Sequence, residues 1–442
     1  MYQAWQTSPA VRQAVIAMGS MEVGSSPCWP ESLVGTLKHQ SAFRQYSRAS
    51  CLMRRDIAGS YCDLRTTLMA CLLFHCYESY HGSHELAINQ VYSGIKLIRE
   101  WTIAFYQPDE NGNLRMRIGG ESPYLSEEDL LRAFGVLEIH VMTFADSRAR
   151  ESHEYYRRSD QAAIDDIPSI FRSLEESRIK LELVIQRSMH WLRSTMHPQN
   201  FSTPGSSPTS STSSETEDFG PYALFFDIDP TYEERMETMN EYERWDQAFK
   251  PLLNCSRSRS APHSDFLLAS TLRLHWLAGY MSIASNNSYS SLVNNTNFTT
   301  ELEELVDIAQ MLLNQPEEIQ NSAFVFDMQI LVPLLTVGWN YGHRALRREA
   351  INLLLRCPRK EGAWDGVVLG RVMQWLASIE EEACRGEPEE RGKADCVPEC
   401  ATVRGVLMDF DASTRQAKVS CLQPVRGRSG LEEMKREAVI PW

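Results

Sequence analysis

Leu64–Trp101 reads LRTTLMACLLFHCYESYHGSHELAINQVYSGIKLIREW. Leu64, Leu68, Cys71, Leu72 and His75 recur at the spacing that keeps one helical face apolar. Ile88, Val91, Ile95 and Ile98 do the same after a break at Gly82. The stretch therefore predicts two helices in succession, with no alternating run that would read as a strand. Working outward, the same period governs most of the chain. Ser8 before Pro9 is an N-cap with proline at the first helical position, followed by Val11, Val15 and Met18 on one face. Ser126 with Asp129 resembles a capping box ahead of Leu130, Phe134, Leu137 and Val141. After Pro168, Ile170, Leu174, Leu181, Ile185 and Leu192 form another stripe. Helical patterns continue through Met236–Phe249, Phe266–Tyr280, Glu301–Asn314, Phe324–Trp339, Arg344–Arg356 and Val367–Ile379.

The last forty residues change character. Val403–Phe410 and Arg415–Leu422 are short β-favouring runs around an Asp/Ser/Thr turn, which predicts a hairpin with a tail ending at Trp442. The expected fold class is thus all-α, with a small C-terminal β-hairpin. Between Ser202 and Glu217, Ser and Thr supply 11 of 16 residues, so that stretch can bury little and reads as a disordered linker. The expected division is a helical half 1–201, the linker 202–217, a second helical half 218–400, and the hairpin and tail 401–442.

The chain has 442 residues, 43% of them hydrophobic, enough for a sizeable core, and a net charge of −14. Phosphate backbones attract cationic surfaces, so the charge argues against a nucleic-acid clamp. No signal peptide is read at the N-terminus. The longest membrane candidate, Met328–Gly342, is 15 residues without a formal charge, shorter than the roughly 20 apolar residues needed to span a bilayer, and reads as a buried helix. The 11 cysteines are scattered, which fits reduced thiols in a nuclear or cytoplasmic protein. Sequons at Asn286, Asn294 and Asn297 mark a solvated loop.

Little in the sequence reads as chemistry. There is no glycine-rich phosphate loop and no nucleophile elbow. His75, Glu78, His81 and His84 have zinc-ligand chemistry, but steps of three drift around a helix and do not share a face. No C-x2-C pair occurs, and Cys396 and Cys400 form only a C-x3-C. No catalytic residue, cofactor site, metal ligand or DNA-reading residue is therefore expected, and no enzyme. Arg344–Lys360 carries six basic residues, and the acid-rich Glu301–Asp327 offers it internal partners. Thr216–Pro230 interleaves acids with Phe219, Tyr222, Phe225, Phe226 and Ile228, the composition of an acidic-hydrophobic activation segment. The competing reading has these aromatics dock on the chain's own core.

Two stretches are more specific: RREAINLLLRCPRKEGAWDGVVLGRVMQW over Arg347–Trp375, and VPECATVRGVLMDF over Val397–Phe410. In this order they resemble the C-terminal part of the regulatory domain of fungal zinc-cluster transcription factors. TSPAVRQAVIAMGSM and the Leu64–Trp101 pair resemble the same domain's earlier helices, so the likeness runs over roughly Trp5–Trp442. The resemblance implies an all-helical regulatory and interaction region in the nucleus, controlling metabolic or secondary-metabolite biosynthetic genes. It would contact the transcription machinery or a DNA-binding partner, as a homo- or heterodimer. The six-cysteine zinc module of that family is not among these residues, and Cys400 stands where the family has Trp. Direct sequence-specific DNA binding is therefore not expected, unless an upstream exon encodes the module. The alternative is a helical ligand-sensing or scaffold module with no promoter role. No membrane association is expected.

Overall fold

The computed structural model describes residues 6, 8–22, 34–59, 62–81, 83–108, 114–116, 128–144, 146, 148–159, 161–195, 222–223, 232–284, 298–315, 324–325, 329–339, 343–362, 364–384, 397, 401–411, 416–427 and 430–441. They form two compact units, Met1–Val141 and Met142–Trp442. The fold is mostly helical, with a small antiparallel sheet near the C-terminus.

The first unit holds α1 (Pro9–Glu22), α2 (Val34–Ala58), α3 (Leu64–His81), α4 (His84–Phe105) and most of α5 (Glu128–Phe144). A short pair, β1 (Tyr106–Pro108) with β2 (Leu114–Met116), follows α4. Helix α1 starts where the sequence places it, and the Ser8 Oγ accepts the Val11 N–H at 3.3 Å. It packs on α2 and α3 through Ala10, Val11 and Ala14 against Ala49, Met53, Met69, Ala70, Leu73 and Phe74. Tyr46 of α2 stacks on Tyr77 of α3, ring centroids 4.2 Å apart. Helix α2 is an element the sequence reading did not identify. The proposed cap Ser126 lies outside the described residues; α5 carries the expected buried Phe134, Leu137 and Val141.

The second unit begins with α6 (Arg150–Ser159), α7 (Gln161–Asp165) and α8 (Leu174–Thr195). Ile170 does not join the α8 stripe: it precedes the helix and is 60% exposed, because the chain after Pro168 is irregular. Next come α9 (Tyr232–Ser256), α10 (His263–Ala284), α11 (Thr299–Leu313), α12 (Leu331–Gly338), α13 (Arg344–Leu355) and α14 (Gly366–Cys384). Indole N–H groups tie three of these helices together. Trp245 of α9 donates to the Ser177 carbonyl of α8 at 2.7 Å, and Trp276 of α10 to the Tyr242 carbonyl of α9 at 2.8 Å. Arg273 of α10 meets Asp246 of α9 at 2.9 Å and Glu304 of α11 at 2.7 Å. Each tie satisfies a polar group that burial would otherwise penalise.

The expected helix over Phe324–Trp339 is shorter in the structure. Phe324–Val325 is a strand, β4, parallel to β5 (Lys360–Glu361), which pairs in turn with β6 (Trp364–Asp365). Among the described residues of that stretch only Leu331–Gly338 is helical, and it is largely buried, as the core-helix reading expects. No helix among the described residues is long and apolar enough to cross a membrane.

The C-terminal β-runs are there, and a third strand extends them. β7 (Arg404–Asp411), β8 (Gln416–Gly427) and β9 (Gly430–Pro441) form an antiparallel meander, with a shift in register between Arg404 and Leu407. What the sequence reads as a tail is therefore mostly β9. A short strand, β3 (Tyr222–Ala223), pairs antiparallel with Met408 and Leu407 on the other edge of β7. The Ser/Thr-rich stretch 202–217 lies outside the described residues.

Candidate functional site

Of the candidate activation segment, Tyr222 lies in β3 on the chain's own sheet. Phe219, Phe225 and Phe226 are outside the described residues, as are the sequons and Cys396 and Cys400. His75 is a core histidine: its Nδ1 meets the Ala87 carbonyl at 2.9 Å and its Nε2 the Ser79 hydroxyl at 3.4 Å. Burial holds its pKa down at about 4. Cys71 is a buried free thiol that burial pushes up to about 11. Among the described residues no three metal-ligating side chains converge.

The arginine-rich helix pairs with acids of the next helix. Arg347 of α13 meets Glu380 of α14 at 2.6 Å, buried on both sides, and Arg348 meets Glu381 at 2.8 Å. In the acidic segment, Glu304 takes Arg273 and Arg257 instead. Glu380 also accepts the Val403 N–H at 2.9 Å, just ahead of β7. Gln423 of β8 donates to the Ile379 carbonyl and accepts from Arg436 of β9, each at 2.9 Å. Burial raises the Glu380 carboxyl above the ordinary range, and the Arg347 charge opposes that without cancelling it. Polar bonds thus fasten the sheet to α14, and α14 to α13.

The turn Pro358–Gly366, PRKEGAWDG, is a second fastening. The Glu361 carboxylate accepts the N–H groups of Gln329, Ile330 and Leu331 at 2.9–3.1 Å and so caps α12. Arg359 lies 3.2 Å from it. Gly362 has φ 57°, a left-handed conformation that glycine adopts without strain. The Trp364 indole is buried and donates to Thr143 at 3.2 Å. Asp365 caps α14 through the Val368 N–H at 3.0 Å.

The arrangement with the most chemical scope lies on α6, α7, α8 and α9, and the sequence reading did not single it out. His153 of α6 and His190 of α8 face each other with Nδ1 atoms 3.0 Å apart, so one ring donates and the other accepts. Asp146 lies 3.8 Å from the His153 Nε2 and takes a two-pronged bond from Arg148, the shortest contact 2.6 Å. Burial pushes the Asp146 carboxyl up, yet the Arg148 bonds and charge outweigh it and hold it well below the usual carboxylate range. Burial first, then the Arg148, His190 and Arg193 charges, bring His153 down to about 4, against the upward pull of Asp146.

One turn further along both helices stands Arg187, 6% exposed. Its guanidinium donates to the Arg157 carbonyl, to Gln161 at 2.7 Å and to Glu241 at 3.0 Å. Around it opens a cleft of about 540 Å³, walled by Arg157 and Arg158 of α6, Ile164 of α7, and Glu234, Glu237, Glu241 and Arg244 of α9. Arg157 pairs with Glu234 at 3.1 Å, and Arg244 donates to the carbonyls of Ile164 and Asp165 at 3.3 and 3.1 Å. The volume is that of a small-molecule pocket, and the wall is almost wholly polar. One sequence signal for it existed: Arg187 interrupts the apolar stripe of α8, where a charge is tolerated only with partners.

No protein-family model, curated protein or solved structure matches the chain.

Proposed function

We propose that this chain is a regulatory module of the fungal zinc-cluster transcription-regulator type, working in the nucleus through protein contacts. It would act on genes of a metabolic or secondary-metabolite biosynthetic cluster. The observation that carries the reading is how the resembling stretch Arg347–Phe410 is used. Its charged and aromatic residues are fastenings: Arg347 with Glu380, Glu361 on α12, Asp365 on α14 and the buried Trp364. Such residues hold helices and sheet in one interlocked unit, which suits a module whose surface, rather than a reaction centre, does the work. The 442 residues contain no six-cysteine cluster and carry a net charge of −14. Retention of these residues on DNA is therefore expected to be weak and lost as salt rises.

Fusing the chain to an unrelated DNA-binding domain is expected to raise reporter output in a fungal host. Replacing Phe219, Tyr222, Phe225 and Phe226 together with Ala then separates two cases. Lower output with unchanged thermal stability marks these aromatics as the partner-binding segment. Lost stability marks them as packing, at about 3–5 kcal/mol for each buried ring removed. A stable, nuclear fusion with unchanged output would discard the promoter role. The second reading, a ligand-sensing or scaffold module, would then stand, and the cleft beside Arg187 favours its sensing form.

A further inference from the structure

We propose that the cleft between α6, α7 and α9 binds a small organic anion bearing carboxylate or phosphate groups. The charges on its wall are unequal. Four guanidinium groups (Arg157, Arg158, Arg187 and Arg244) face three carboxylates (Glu234, Glu237 and Glu241). Two of the arginines are neutralised inside the fold, Arg187 by Glu241 and Arg157 by Glu234. Among the described residues, no carboxylate lies within ion-pair distance of Arg158 or Arg244. Arg244 holds two main-chain carbonyls at the end of α7, which position its guanidinium without cancelling its charge. The nearby Asp165 carboxylate takes the Gln161 amide at 3.1 Å. Glu237, 4.0 Å from Arg157 and 75% exposed, is the weakest-held acid of the three.

This pattern is that of a seat for a negative group. The buried pair Arg187–Glu241 and the Gln161 contact fix the floor, so the wall need not reorganise when a ligand enters. Arg158 at the mouth is exposed and free to close on an acidic oxygen, and guanidinium groups match carboxylate and phosphate geometry with two parallel bonds. A cleft of about 540 Å³ has room for an organic body and not only a bare inorganic ion. That body would be polar, because Ile164 is the one apolar residue of the wall.

Calorimetric titration of the full chain at low ionic strength tests this, with citrate as the carboxylate probe and glucose 6-phosphate as the phosphate probe. At least one is expected to bind saturably at one site per chain, and sodium chloride of equal ionic strength is expected not to. Arg158→Glu is expected to weaken binding about tenfold or more, since it removes a charge-assisted contact and adds a repulsion. Glu237→Gln is expected to tighten it. Both positions are on the surface, so both variants should fold. Lys435→Ala, on β9, should bind as the unaltered chain does. Saturation by citrate alone, or by the sugar phosphate alone, names the acid group. Saturation by neither, or an affinity that ignores both cleft variants, overturns the proposal. The reporter assay does not enter this test, so the two readings fail separately.

Discussion

Acid reaches this protein through His75 and His153. Both rings have folded pKa values of about 4, against an ordinary 6.5, with burial the leading cause. The unfolded chain therefore binds a proton at each between those two values, and the folded protein does not. By linkage, stability rises with pH through that window, is complete above about 6.5, and is lost as pH falls toward 4. Each ring contributes up to about 3 kcal/mol, at 1.36 kcal/mol per pKa unit. Urea midpoints measured across the window should fall steadily on acidification, and His75→Gln should flatten part of that slope. A midpoint that does not move from neutral pH down to the lower value would contradict the burial argument. Asp146 adds nothing in this range, because Arg148 holds its carboxyl ionised well below it.

Among the elements, α12 depends on a residue outside itself. Eight residues are too few for a helix to persist alone, so its first turn relies on Glu361. Glu361→Ala would strand three N–H groups and the Arg359 charge in a buried site. A loss of about 3–5 kcal/mol is expected from denaturant unfolding, with Glu361→Gln losing less because its amide oxygen still accepts. A loss under about 1 kcal/mol would mean that water replaces the carboxylate. Which elements could be read from the sequence follows from what their inner faces are made of. Helices α3, α4 and α8 bury large aliphatic or aromatic residues, which the sequence shows at helical spacing. The packed side of α2 includes Ala42, Ala49 and Met53, which pack with residues of α1 and α3, and the helix is polar on average, so its stripe rests largely on small residues that do not stand out as a core face. Helix α6 turns His153 inward, and its ten residues are so polar overall that no aliphatic stripe marks its inner face. Strand β9 alternates Met434, Arg436, Ala438 and Ile440 with more exposed residues, and the charge on Arg436, bonded to Gln423, masks the alternation. Apart from Arg187, the cleft was illegible for a related reason. Its residues are surface-type arginines and glutamates scattered over four helices, and only the fold brings them together.

At the scale of the molecule, the bonds between α8 and α9 join residues on either side of 202–217. Trp245 to Ser177, Tyr242 to Ser188 and Arg187 to Glu241 all cross that stretch. Its Ser/Thr/Pro composition predicts that limited proteolysis cuts there first. The fragments are expected to remain together on a sizing column, since each supplies buried faces the other needs. Separation into two folded fragments would contradict this packing. The tryptophans add a consequence of a different kind. Trp191, Trp245, Trp276, Trp339 and Trp364 are all buried in the second unit, whereas Trp101, the one described tryptophan of the first, is only half-buried. Among the described tryptophans, blue-shifted fluorescence and its red shift on denaturation therefore report mainly on Met142–Trp442, while far-ultraviolet circular dichroism weighs the helices of both units. If the two optical curves superimpose, the units melt as one; if they part, the gap between them measures how independently each stands.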